Sequence, residues 1–242
     1  MSRHLGLSAA LALVMATSGA LPALAQETGA TEPAREAALQ DLTPENTVFI
    51  YVDFNTGLDN HLTTVPGSVF RENVQAFAKL GEVFDPPIAL LGDEDETYYG
   101  PFYPEIEPLR AVGQRFPRTT PSGYTPELAA WLEETGRTNV VIGGISIDNC
   151  VLHTTLDLIR AGYNVYVLTD VSPTNNPFAQ AAAETRMTQA GAVPMTWITL
   201  ATDLVGDWNS PYGQELMPVM GQHLAPSTVG ERNDTTPDGL GL

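Results

Sequence analysis

Six short apolar runs alternate with helical patterns along this chain. "TVFIYVDF" (47–54) is β-branched and aromatic, as a buried strand should be. In residues 67–84, Val69, Val74, Phe77, Leu80 and Phe84 fall near helical spacing. "PPIALLGD" (86–93) predicts a second strand and residues 111–118 a third. Residues 125–136 predict a helix that Thr125 caps, Pro126 opens and Gly136 ends. A strand is expected over 139–145, a helix over 148–162 and a strand over 163–171. A helix over 175–191 and a strand over 193–200 follow, with a further helix starting at Ala201. Between the second and third strands lies a long aromatic loop (94–109) with several prolines. Loops of that length in compact domains are often functional.

Strands alternating with helices make βαβ units, hence a parallel sheet with helices on both faces. The fold class predicted is α/β, a single-domain doubly wound sandwich with a mainly parallel six-stranded sheet. In such sheets ligands bind beyond the carboxyl ends of the strands. That rule selects three residues: Asp53 ends the first strand, Arg118 ends the third, and Cys150 follows the fourth.

Composition adds a compartment. Residues 1–25 carry Arg3, an apolar stretch from Leu5 to Met15 and an A-x-A site at Ala23–Ala25. This reads as a secretory signal peptide cut after Ala25, giving a periplasmic or secreted protein. A linker or frayed helix (26–43), one domain (44–225) and a flexible tail (226–242) are expected to follow. The net charge of -18 argues against nucleic acid and against anionic membrane surfaces. Solubility explains it adequately. No later run is apolar enough to span a bilayer.

Export bears on Cys150, the only cysteine. Oxidising compartments usually pair their thiols, so a lone one is either a packed core group or reactive. Cys150 is expected in the first turn of its helix, where free N–H groups and the helix dipole favour a thiolate. Arg118 would favour it too, whereas the Asp53 charge opposes it. Sequence does not decide which effect prevails. Gly143 and Gly144 allow a tight turn able to aim amides at an oxyanion, or merely permit close strand–helix packing. Asp53 can accept the thiol proton and return it to a leaving group.

The segments "YVDFNTGL", "FPRTTPSGYTPEL" and "GGISIDNCVLHTTLDLIRAGYNVYVLTDV" resemble, in order and spacing, the isochorismatase-like cysteine hydrolases. The likeness runs from about Thr47 to Trp208. It implies a catalytic triad of Asp53, Arg118 and Cys150. It also implies a cis peptide at Ile145–Ser146 and an oxyanion hole of the Ser146 and Cys150 N–H groups. Most members carry lysine at the middle position. Arg118 there, with Lys79 the only lysine and far from any strand end, is similar to the YcaC-like branch. Arginine keeps its proton, so its role would be electrostatic. Phe54, Asn55 and Tyr124 are the expected pocket residues.

Nicotinamidases of this family hold zinc through an Asp-x-His-x-His segment. Here the histidines are His4, His61, His153 and His223, with no such pair. "GDEDE" (92–96) reads as a solvated loop. No metal and no cofactor are therefore expected. The expected activity is hydrolysis of a small amide or related C–N bond through a thioester. The alternative is a catalytically silent oligomeric binding or assembly protein with the same fold. The expected partners are a small-molecule substrate and further copies of this chain. The resemblance implies a ring-like homo-oligomer such as an octamer, and Tyr98, Tyr99, Phe102 and Tyr103 would serve a subunit contact or a pocket wall.

Overall fold

A computed structural model describes residues 32–94 and 98–227. Its centre is β1 (Thr47–Val52), buried at every position. Such a strand has no solvent face, which explains its unbroken apolar run. β2 (Ile88–Leu91) and β3 (Gln114–Phe116) extend the sheet on one side. β4 (Asn139–Gly144), β5 (Asn164–Leu168) and β6 (Val193–Met195) extend it on the other. All pairings are parallel, in the order β3-β2-β1-β4-β5-β6.

Alternation along β1 divides the core in two. Phe49 and Tyr51 face a cluster built with α2 (Gly67–Phe84), α6 (Trp197–Val205) and α7 (Pro211–Ser227). Val48, Ile50 and Val52 face the opposite cluster. That side is covered by α3 (Pro126–Thr135), α4 (Cys150–Arg160) and α5 (Pro177–Ala190). Caps fix several boundaries. Thr125 accepts from Leu128 N, and Gly136 ends α3 with φ 66°. Asn176 accepts from Phe178 N at the start of α5.

The structure refines the sequence reading at both ends. α1 (Glu32–Ala38) lies within the segment expected as a linker or frayed helix and takes the helical alternative. It is tied in because Ala37 and Leu42 are buried and Tyr166 Oη donates to Ala37 O at 2.8 Å. The strand expected over 193–200 stops at Met195, and the helix begins at Trp197 rather than Ala201. Thr196 caps it, and Trp197, Leu200, Ala201, Leu204 and Val205 are buried at helical spacing. α7 was not expected; it buries Leu216, Val219 and His223 and runs past residue 225. The signal segment (1–25), residues 95–97 of the acidic loop and the tail beyond 227 lie outside the described residues. Among the described residues, no helix is long and apolar enough to cross a membrane.

Asp170, just beyond β5, gives the fold a pH dependence. Burial pushes its carboxyl up to about 7, against the opposing backbone N–H of Trp197. That N–H donates to both carboxylate oxygens at 3.2 Å. An acid with a raised folded pKa binds its proton more tightly when folded, so stability falls as pH rises from about 4 through 7. Between pH 5 and 8 the loss should be about 2–3 kcal/mol. Asp170→Asn keeps an acceptor for Trp197 and should flatten this decline, measured by urea unfolding at both pH values. Equal pH slopes in the two proteins would contradict the assignment.

Candidate active site

The chain leaves β1 toward β2 on one side, whereas β4 continues to β5 on the other. The carboxyl ends of β1 and β4 therefore flank a crevice, the usual ligand position in such sheets. Asp53 follows β1 directly and adopts φ 49°, uncommon for a residue with a side chain. Its N–H donates to Leu91 O at 3.0 Å. Gly92 leaves the carboxylate room, since a Cβ there would lie 2.7 Å from Asp53 Oδ1.

Arg118 reaches the same point from the segment after β3. Its guanidinium donates to Asp53 Oδ2 and to the Thr120 carbonyl. The two side chains are only 7% and 3% exposed, so the ion pair is nearly dry. Pairing is what makes that burial tolerable. Cys150 opens α4, and its thiol couples to both partners by charge and hydrogen bonding. Asp53, Arg118 and Cys150, distant in sequence, thus meet at one sheet edge.

Electrostatics resolve what the sequence left open. Burial, then the Asp53 charge, push the Cys150 thiol up to about 12, and Arg118 only partly offsets them. Burial also raises the Asp53 carboxyl, against the lowering effect of Arg118. The sulfur is thus held as a thiol beside the Asp53–Arg118 pair. A helix start and one arginine do not suffice for a resting thiolate in so buried a place.

The loop entering α4 is shaped by close packing. Gly144 has φ 150°, and a Cβ on it would lie 1.9 Å from Val52 O. Ile145 N donates to that same oxygen at 2.9 Å. The Ile145–Ser146 peptide is cis. The N–H groups of Ser146 and Cys150 donate to no described residue. Both point of origin and chemistry suit them to a developing anion.

Above this floor lies a pocket of about 330 Å³. Leu58, Leu62, Tyr98, Tyr99, Thr174 and Asn175 are among its walls. The expected pocket residues are elsewhere. Phe54 is fully buried among Phe70, Tyr51 and Tyr103. Asn55 is also buried, and its Nδ2 donates to Asp93 O and Gly100 O. Tyr124 packs on the opposite core cluster, near Tyr163. Phe102 and Tyr103 join the core, leaving Tyr98 and Tyr99 as the aromatic wall. A sequence signal for that wall exists in Gly57, whose missing Cβ would lie 2.1 Å from Tyr98 O. Gly57 N donates to Tyr99 O at 2.8 Å, laying the loop over the site. Among the described residues, no group of three or more His, Cys, Asp or Glu side chains is placed to hold a metal ion.

Comparison with known proteins agrees with this architecture. The isochorismatase-domain family model matches residues 90–199. Isochorismatase domain-containing protein 2 of Pongo abelii is 30% identical over 158 residues, covering 61% of this chain and 75% of that protein. The chain belongs to the isochorismatase-like family. Within it, the probable hydrolase YcaC of Escherichia coli (strain K12) is 29% identical over 177 residues, 70% of this chain and 82% of that one. The Escherichia coli YcaC structure, described as an octameric hydrolase of unknown specificity, superposes with a TM-score of 0.72 at 28% identity. It covers 77% of this chain and 92% of its own. YcaC from Pseudomonas aeruginosa, solved with hexane-2,5-diol and covalent acrylamide, matches with the same TM-score and identity over 78% and 94%. Within the isochorismatase-like hydrolase family, this chain falls with the YcaC-like proteins.

Proposed function

We propose that the protein is an exported, cysteine-dependent hydrolase of a small amide or related C–N bond. The observation that carries this reading is the buried Asp53–Arg118 pair touching the Cys150 thiol beneath a pocket. Asp53 takes the thiol proton as sulfur bonds to the carbonyl carbon. The Ser146 and Cys150 N–H groups receive the oxyanion. As the tetrahedral adduct collapses, the C–N bond breaks and Asp53 returns its proton to the departing nitrogen. A thioester remains. Water then attacks it, Asp53 takes a proton from the water, and the acid leaves as Cys150 regains its proton. Arg118 stays charged throughout and holds Asp53 ionised between transfers.

The acrylamide in the Pseudomonas aeruginosa protein supports a soft nucleophile in this fold, because acrylamide bonds covalently through its electrophilic β-carbon. The raised thiol favours the rival reading of a silent assembly protein. Release of ammonia from a panel of small neutral amides separates the two. Cys150→Ala should lower turnover by at least about 10³-fold. Equal rates in the variant, or no hydrolysis of any amide, would leave the assembly reading standing.

Export and assembly belong to the same proposal. The A-x-A site at Ala23–Ala25 supports cleavage there, and the octameric relative supports a homo-oligomer. Native mass spectrometry of protein made in an exporting host should give a multimer whose subunits begin at Gln26. An intact Met1, or a monomer at micromolar concentration, would refute the corresponding part.

A further inference from the structure

We propose that the pocket over Cys150 selects a small amide whose remainder is cationic and rejects anionic ones, and that Asp148 sets this preference. The inference rests on the cysteine-hydrolase reading and names its substrate class.

Among the described residues, the pocket wall contains Asp53 and Asp148 but no lysine, arginine or histidine. Arg118, paired with the wall residue Asp53, is engaged by that carboxylate and the Thr120 carbonyl, so its charge is already matched. Among the described wall residues, no unmatched positive charge is left to pair with a substrate carboxylate or phosphate. Asp148 is different. It lies in the turn before α4, makes no ion pair among the described residues, and its buried Oδ1 accepts no hydrogen bond from them. The fold therefore does not use this carboxylate, although leaving a buried acceptor unsatisfied is costly. Asp148 lines the pocket with its charge unpaired, so an ammonium bound there would offset that charge. Tyr98 and Tyr99 pack edge to face at 4.9 Å on the pocket wall, and tyrosine faces attract cations. The net charge of -18 adds a long-range field of the same sign. That field is screened beyond roughly 4 Å in 0.5 M salt, whereas a carboxylate in the pocket acts at contact.

Cys150 reports the local potential without interference, because it is the only cysteine. The full protein is treated with three methanethiosulfonates bearing 2-aminoethyl (cationic), methyl (neutral) or 2-sulfonatoethyl (anionic) groups. Each forms a disulfide with the sulfur and releases methanesulfinate. Rates are divided by those for free cysteine. The cationic reagent should outpace the anionic one about tenfold or more in 0.5 M salt. The neutral reagent should fall between them. Asp148→Asn should cut the ratio at least threefold. A wild-type ratio below tenfold in 0.5 M salt overturns the proposal, as does a ratio that Asp148→Asn leaves unchanged. The wild-type ratio stands as a test even if that variant fails to fold. Failure of all three reagents to react would instead overturn the nucleophile reading, and this inference with it.

Discussion

Asp53→Asn should lower amide turnover by about 10³-fold while leaving Cys150 open to alkylation, in a protein whose circular dichroism and urea midpoint show that it remains folded. The carboxylate has two opposed effects on the sulfur. It is the base that accepts the thiol proton. Its charge and its hydrogen bond also help hold the thiol at about 12, second only to burial. Asparagine removes both effects, so the thiol pKa should fall as the like charge disappears, with Arg118 still favouring thiolate. In the native protein, the alkylation rate should be flat from neutral pH upward, until free thiolate forms near 12. The flat region exists because the proton moves between sulfur and carboxylate without reaching solvent. In the variant the rate should climb with pH and level off at the new, lower thiol pKa. Turnover cannot be rescued in this way, since the departing nitrogen still lacks its proton donor. Iodoacetamide rates from pH 6 to 11, beside ammonia release at each pH, check both halves. Turnover within tenfold of the native protein, or a thiol pKa that does not fall, would remove Asp53 from the proton path.

That experiment concerns a feature the sequence showed only in part. The alternation of buried strands with capped helices was legible because each segment carries its own period and stop signals. Thr125, Gly136 and Gly191 act within a few residues of where they stand. Placing Asp53, Arg118 and Cys150 on one edge needed only parallel strands and the crevice rule. The order of helices at the carboxyl end was less legible. Met195 and Trp197 are both apolar and buried, and the cap at Thr196 that separates strand from helix is a single hydroxyl. The pocket walls were least legible. Asn55 follows Asp53 closely in the chain, yet it turns away to hold the loop at Asp93 and Gly100. Tyr98 and Tyr99 arrive from a loop whose path depends on tertiary contacts with Gly57. The protonation of Cys150 lies furthest from the sequence, because it is a balance of burial and the Asp53 charge against the Arg118 charge.

Gly144→Ala should destabilise the protein by about 4 kcal/mol, and the reason shows how strand packing sets the active loop. Two costs add. At φ 150° an alanine is strained by about 1–3 kcal/mol. Its Cβ would also sit 1.9 Å from Val52 O, a backbone atom that cannot rotate away. Forced displacement in a packed core adds a further 1–3 kcal/mol or so. Gly136→Ala separates the two terms. It too has positive φ, at 66°, but a Cβ there meets nothing within 4 Å, so its cost should be about 1 kcal/mol. Urea unfolding of both variants gives the difference directly, and equal losses would show that backbone strain alone governs Gly144. The displaced oxygen has a further consequence. Val52 O accepts the Ile145 N–H at 2.9 Å, Val52 precedes Asp53, and Ile145 begins the segment that leads to Cys150. Moving that one carbonyl therefore moves the base and the nucleophile apart. Gly144→Ala should lose turnover even at temperatures where it remains folded, whereas Gly136→Ala should keep native rates.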